Sequence, residues 1–199
     1  MKWWVLLICV CMSACQTPGH LIKVDAAHDP RQVLQHQNRL ADLKNWDLKA
    51  RIGIKSTRQS GSATLLWQQQ ADNYRLKLIL PFAQGIINIE RQNGLVTLVD
   101  QTGQTRSANS AAALIYQSTG WYIPVAELSE WIIGQVPSVY QTQWSTDGLV
   151  AEAAVDVWEI DYQTYQAVPY NEDFLMLPGK IVLTHPELTL RLILNQWTL

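Results

Sequence analysis

Tyr74-Arg-Leu-Lys-Leu-Ile-Leu-Pro-Phe-Ala-Gln-Gly-Ile-Ile-Asn-Ile-Glu90 is the stretch whose reading decides the fold. Tyr74, Leu76, Leu78 and Leu80 fall on one side of an extended chain, with Arg75 and Lys77 on the other. That is the period-two alternation of a half-buried strand. Ile87 and Ile89 repeat it in the second arm, from Gly85 to Glu90. Pro81 has no N–H for a ladder, so pairing stops beside it, and Gly85 admits the backbone angles of a tight return. The link Pro81-Phe82-Ala83-Gln84 is then a hairpin tip, with Phe82 on it. Such tips face water and favour polar residues. Phe82 either folds back onto the core or projects as an apolar contact for a membrane or a partner, and the hairpin alone leaves both open.

More strands flank this hairpin. Trp46 to Ser56 sets Ala50, Ile52 and Ile54 against Lys49, Arg51 and Lys55, and Gly61 to Gln69 puts Ala63, Leu65 and Trp67 on one face. Asn93-Gly94 supplies the positive φ angles of a tight hairpin before a strand at 95–99. Thr102-Gly103 turns the chain again, so at least five strands run as an antiparallel meander. Then the period changes. Helical spacing covers 109–118, through Ala111, Leu114, Ile115 and Ser118, and 124–133, through Val125, Leu128, Trp131 and Ile132. Pro124 starts the second helix and Gly134 ends it. Strands resume at 139–145, 148–154, 155–163, 174–184 and 187–197. Upstream, Asp29 as cap and Pro30 in the first turn open a helix over 31–44. The fold expected is mainly β with a few helices: a curved antiparallel sheet or open barrel, with a helical lid over about 109–134 and an apolar concave side.

The amino terminus has another logic. Lys2 precedes the apolar run Trp3 to Val10, and Met12-Ser13-Ala14-Cys15 closes it. The run is far shorter than the roughly 20 apolar residues that span a bilayer, and its layout is that of a secretory leader. Its end resembles a bacterial lipobox, with Cys15 as lipid acceptor. The organisation expected is a cleaved leader at 1–14, a lipid-anchored tether at 15–29 and one domain at 30–199. Cys9 and Cys11 leave with the leader, so the mature chain has no thiol pair for a disulfide. Gln16, where Asp is associated with inner-membrane retention, favours the outer membrane by analogy.

Composition excludes other classes. Charged residues make up 16% of 199 residues and the formal net charge is -2, so there is no basic surface for nucleic acid. Nine Trp and seven Tyr against two Phe suit surfaces that are dry at one end and wet at the other. His20, His28, His36 and His185 have no metal-ligand spacing, and no phosphate-loop, dinucleotide or nucleophile-elbow motif occurs. Glu90, Asp156, Glu159 and Asp161 read as solvated strand edges. An enzyme is not expected, nor any cofactor or metal. What remains is a tethered, lidded sheet whose unfilled interior would bind an apolar ligand.

Three groups of residues, in order, resemble the LolB family. They are Gly120-Trp121-Tyr122-Ile123-Pro124-Val125 with Leu128, Trp131-Ile132-Ile133-Gly134 and Pro137; then Trp158-Glu159-Ile160-Asp161-Tyr162 with Tyr165; then Leu177-Pro178, Ile181-Val182-Leu183 and Leu190 to Trp197. Trp67 and Leu80-Pro81 also fit. The resemblance implies an incomplete barrel of about ten or eleven strands under a helical lid. It implies lipoprotein transport to the outer membrane: a lipid-anchored receptor that takes acylated lipoproteins from a soluble LolA-like periplasmic carrier and inserts them into the inner leaflet. It also implies an exposed leucine after the Leu-Pro turn, whose place Phe82 takes here, and so a projecting tip at the outer-membrane lipid. On this reading Leu65, Trp67, Leu76, Leu78, Leu80, Ile87 and Ile89 line the sheet side of an acyl-chain cavity, and Leu128, Trp131 and Ile132 the lid side. The chain is expected to act as a monomer. Two alternatives stand beside it: a lipocalin-like lipoprotein storing a small apolar ligand, and a structural envelope-assembly lipoprotein with a filled interior.

Overall fold

The computed structural model describes residues 20–21, 28–57, 60–119, 121–137 and 140–199. The leader and Cys15 lie outside them. In chain order the strands are β1 (His20–Leu21), β2 (Asn45–Ser56), β3 (Ser60–Gln70), β4 (Asn73–Ile79), β5 (Ile86–Gln92), β6 (Leu95–Val99), β7 (Thr105–Ala108), β8 (Gln141–Trp144), β9 (Val150–Val155), β10 (Trp158–Tyr170), β11 (Asp173–His185) and β12 (Leu188–Thr198). Three helices accompany them: α1 (Pro30–Ala41), α2 (Ala111–Thr119) and α3 (Val125–Trp131). The sheet order is β7-β6-β5-β4-β3-β2-β12-β11-β10-β9-β8, and neighbouring strands pair antiparallel. The chain ends of the sheet meet in the middle, where β12 pairs β2, while β7 and β8 remain the two edges. The sheet is therefore an open half-barrel.

Alternation builds its inner face. Trp46, Leu48, Ala50 and Ile52 are buried along β2, and Leu188, Leu190, Leu192 and Leu194 along β12. Lys49, Arg51 and Arg191 point outward and are exposed. One stretch of β10 breaks the pattern. Between Tyr162 and Tyr165 the β10–β11 register shifts, so both tyrosines turn inward. Their hydroxyls donate to the Trp131 carbonyl (2.8 Å) and the Val150 carbonyl (2.9 Å). Burial raises both phenol pKa values, so they remain neutral donors.

β7 has no counterpart in the expected strands. Thr105-Arg106-Ser107-Ala108 lacks apolar alternation and forms because β6 offers it a free edge. Within the stretch read as a tether, His20 and Leu21 pair with Tyr165 and Thr164 on β10 beyond the end of β9. α1 ends at Ala41 rather than 44, leaving Leu43 buried as the chain turns into β2.

α1 starts as its cap residues require. The Asp29 carboxylate accepts from the Arg31 N–H at 2.9 Å, with Pro30 in the first turn. Gln37 then clamps the helix onto the chain after α3, donating to the Gly134 carbonyl (2.9 Å) and accepting from the Val136 N–H (3.3 Å). On the same helix, burial is the main cause that lowers the His36 pKa to about 4, with Arg39 adding to it. Among the described residues His36 Nε2 is buried without a partner. A neutral imidazole in the folded state and an ordinary one at 6.5 in the unfolded state make stability fall as pH drops from 6.5 toward 4. Asp29 and Asp100, whose carboxyls sit below their ordinary 3.8, weaken the fold only at lower pH. Thermal melts of His36→Leu across pH 7 to 4 should therefore show a flatter decline than wild type; parallel curves would remove His36 from this account.

Candidate functional site

The interior is filled on one side and hollow on the other. Under β8 to β12, large side chains close the space: Trp131 lies 6.3 Å from Trp158, and Tyr162, Tyr165, Leu175 and Leu183 are sealed from solvent. Trp46 packs against Trp67 (5.3 Å) and Trp197 (5.4 Å) at the junction. Beyond Trp67 the inward residues of β3 to β6 are aliphatic, and they leave a cavity of about 1070 Å³ that is partly open to solvent. This is as large as a good small-molecule pocket, about 300–1,000 Å³.

Register explains the lining. Leu65 pairs with Leu78 and Trp67 with Leu76, while Leu78 and Leu76 pair with Ile87 and Ile89. These six residues form two apolar rows across the hairpin arms. Leu80 extends them toward the tip, and Leu98 continues the second row on β6. From the helical side come Ile115 of α2, Trp121, Ile123, and Val125 and Leu128 of α3. Leu65, Trp67, Leu76, Leu78, Leu80, Ile87, Ile89 and Leu128 thus border one cavity. Trp131 and Ile132, expected on its lid side, do not. Trp131, on the apolar stripe of α3, meets Trp158 in the filled half, and Ile132, just past the end of that helix, is fully buried. Ile115, Trp121 and Ile123 stand in their place, and the spacing of α2 signalled only the first.

The hairpin tip is a closed loop. Leu80 N–H donates to the Gly85 carbonyl at 3.0 Å, and within it a tight turn is closed by the Gln84 N–H donating to the Pro81 carbonyl at 3.1 Å. Phe82 and Ala83 both take positive φ, 53° and 56°. Left-handed backbone at two successive residues with side chains is strained, and here it turns the Phe82 ring outward, 94% exposed. The first of the two readings, folding back onto the core, is therefore not the one adopted. Gly85, with φ 115°, lies against the next loop: a Cβ there would meet Gln101 Cβ at 2.6 Å. Phe82, Pro81 and Leu80 also edge the cavity, so the tip stands at its rim. Beside it, Ile79 and Ile86 pair across the strands on the outer face, and both are exposed.

The site is thus an apolar cavity with a helical cover, set in an open antiparallel half-barrel. The LolA-superfamily protein of Nitrosomonas europaea has the same fold, with a TM-score of 0.53 at 8% identity over 87% of this chain and 94% of that one. The family model for outer membrane lipoprotein LolB matches residues 44–197, and the chain belongs to that family. The outer-membrane lipoprotein LolB of Cellvibrio japonicus (strain Ueda107) is 37% identical over 173 residues, 85% of each chain. That of Aeromonas salmonicida (strain A449) is 37% identical over 165 residues, covering 83% of this chain and 82% of its own. That of Nitrosococcus oceani is 30% identical over the whole of both chains. The protein is thus an outer-membrane lipoprotein and not an enzyme.

Proposed function

We propose that this protein receives acylated lipoproteins from a LolA-like periplasmic carrier and delivers them into the inner leaflet of the outer membrane. The observation that carries the reading is the continuity between the apolar cavity and the exposed Phe82 on its rim. A triacylated cargo in water loses about 0.8 kcal/mol for each CH₂ left exposed. Its acyl chains must therefore pass from one dry surface to the next. Two open half-barrels placed mouth to mouth supply such a path. No nucleotide motif occurs in the chain, so transfer runs downhill from carrier to cavity to bilayer. Leu65, Trp67, Leu76, Leu78, Leu80, Ile87, Ile89 and Leu128 hold the acyl chains, and Phe82 enters the lipid to open the exit. One copy suffices, since cavity, cover and tip come from a single chain. Acylated Cys15 keeps the domain at the membrane.

The test uses a mature chain carrying Cys15→Ala, exported behind a cleavable secretory leader. It should fractionate as soluble and still take cargo from a loaded carrier without nucleotide, seen as co-migration of cargo with the domain. Cargo remaining on the carrier would sink the receptor reading. A variant still membrane-bound after carbonate washing would sink the Cys15 anchor alone.

A further inference from the structure

We propose that Arg106 forms a polar subsite in the cavity, donating hydrogen bonds to the ester and amide carbonyls that join acyl chains to a lipid or lipoprotein head. The inference rests on the acyl-cargo reading of the cavity. Among the described residues lining the cavity, Asp100 and Arg106 are the only charged ones. Both side chains keep part of their exposure, 17% for Asp100 and 37% for Arg106, yet a charged pair in an aliphatic wall still needs a reason.

Asp100 has one within its own loop. Its Oδ1 accepts from the Thr102 hydroxyl (2.6 Å), the Thr102 N–H (2.8 Å) and the Gln104 N–H (3.1 Å), which shapes the turn between β6 and β7. Arg106 does not share in that network. Among the described residues it approaches Asp100 only through NH2 to Oδ2 at 3.5 Å, and its Nε is buried without a partner. A guanidinium has five N–H donors in a fixed fork, and with this side chain 37% exposed they are reachable from the hollow as well as from solvent. Buried donors ordinarily find acceptors, and the cavity is where an acceptor could come from.

Position agrees with chemistry. Arg106 pairs across the strands with Leu98, so it follows Ile89 and Leu98 in one inward row. The loop before β7 packs against the tip loop through Gln101 and Gly85. Arg106 therefore lies on the same end of the sheet as Phe82. A cysteine with an N-acyl chain and a diacylglyceryl group has one amide and two ester carbonyls at the junction of head and tails. Tails lying along Leu76, Ile89 and Leu98 would bring that junction to Arg106. Carbonyls drawn into an apolar cavity lose their hydrogen bonds to water unless a donor replaces them. A forked donor serves two at once.

The mature Cys15→Ala chain and its Arg106→Met and Arg106→Lys variants would be titrated with three probes. These are a triacylated lipopeptide, its analogue with all three chains joined through ether oxygens (the terminal nitrogen replaced by oxygen) and so without acyl carbonyls, and diheptanoyl phosphatidylcholine. Wild type should bind the lipopeptide about tenfold more tightly than the ether analogue, the size of one charge-assisted hydrogen bond. Arg106→Met should abolish that difference with ether affinity unchanged, and Arg106→Lys should keep part of it. The same dependence with the phospholipid assigns the subsite to ester carbonyls of any lipid; dependence confined to the lipopeptide assigns it to the cargo's amide. Equal wild-type affinity for ester and ether probes would overturn the subsite, as would equal loss of both in Arg106→Met. Binding of no probe would instead overturn the acyl cavity itself, and the subsite with it.

Discussion

Phe82→Glu should leave cargo loading intact and cut delivery into membranes by at least about tenfold. The ring is 94% exposed, so replacing it removes no core contact, and the melting temperature should not move appreciably. The backbone there is already left-handed at φ 53°, and glutamate meets the same strain as phenylalanine. On the proposed function the effect belongs to the step in which the tip meets lipid. Burying a phenylalanine contributes about 1.5–3 kcal/mol, and a carboxylate at the same depth opposes entry. Each 1.4 kcal/mol on the barrier is about a factor of ten in rate. Phe82→Leu, which restores the residue expected from the family, should deliver nearly as well as wild type. The measurement is a timed assay from a loaded carrier, with separate sampling of cargo on the domain and cargo in vesicles. Normal delivery by the glutamate variant would remove the tip from the mechanism and leave the receptor role standing.

What the sequence showed and hid follows from the range of the interactions involved. The arms at 74–90 were legible because strand alternation is local: Leu76 and Leu78 share a face wherever the strand is placed, though alternation alone leaves open which face lines the cavity. Pro81 and Gly85 likewise mark their own turn. The direction of Phe82 was not legible, because it depends on left-handed backbone at Phe82 and Ala83 that no residue type there demands. β7 stayed hidden since Thr105 to Ala108 is strand only by virtue of the β6 edge. Arg106 stayed hidden with it, for only pairing opposite Leu98 turns that side chain toward the cavity. The stripe on α3 revealed a buried face, but not that Leu128 would meet the hollow half and Trp131 the filled half. That division depends on Trp158, which lies 27 positions along the chain. Tyr162 and Tyr165 belong to the same class, as a register shift rather than alternation turns both inward.

Trp67→Ala should lower the unfolding free energy by about 3–5 kcal/mol, the usual cost of deleting a buried large aromatic. Trp67 is 1% exposed and holds the boundary between the two halves of the interior. Its ring lies 5.3 Å from Trp46 and 6.4 Å from Tyr74, and its Nε1–H donates to Gln69 Oε1 at 2.9 Å. Gln69 in turn donates to the Ala71 carbonyl, so the substitution also leaves a buried acceptor with one partner fewer. For a domain of this size the midpoint should fall by roughly 6–20 °C, at about 2–4 °C per kcal/mol. Because Trp67 already lines the hollow, the space it vacates joins the existing cavity instead of becoming a sealed void. An acyl ligand should then recover more of the lost midpoint in Trp67→Ala than the same ligand adds to wild type. Trp158→Ala, in the filled half, should lose comparable stability with no such recovery. Equal ligand shifts in all three proteins would mean that Trp67 is core alone, and that the acyl chains lie elsewhere.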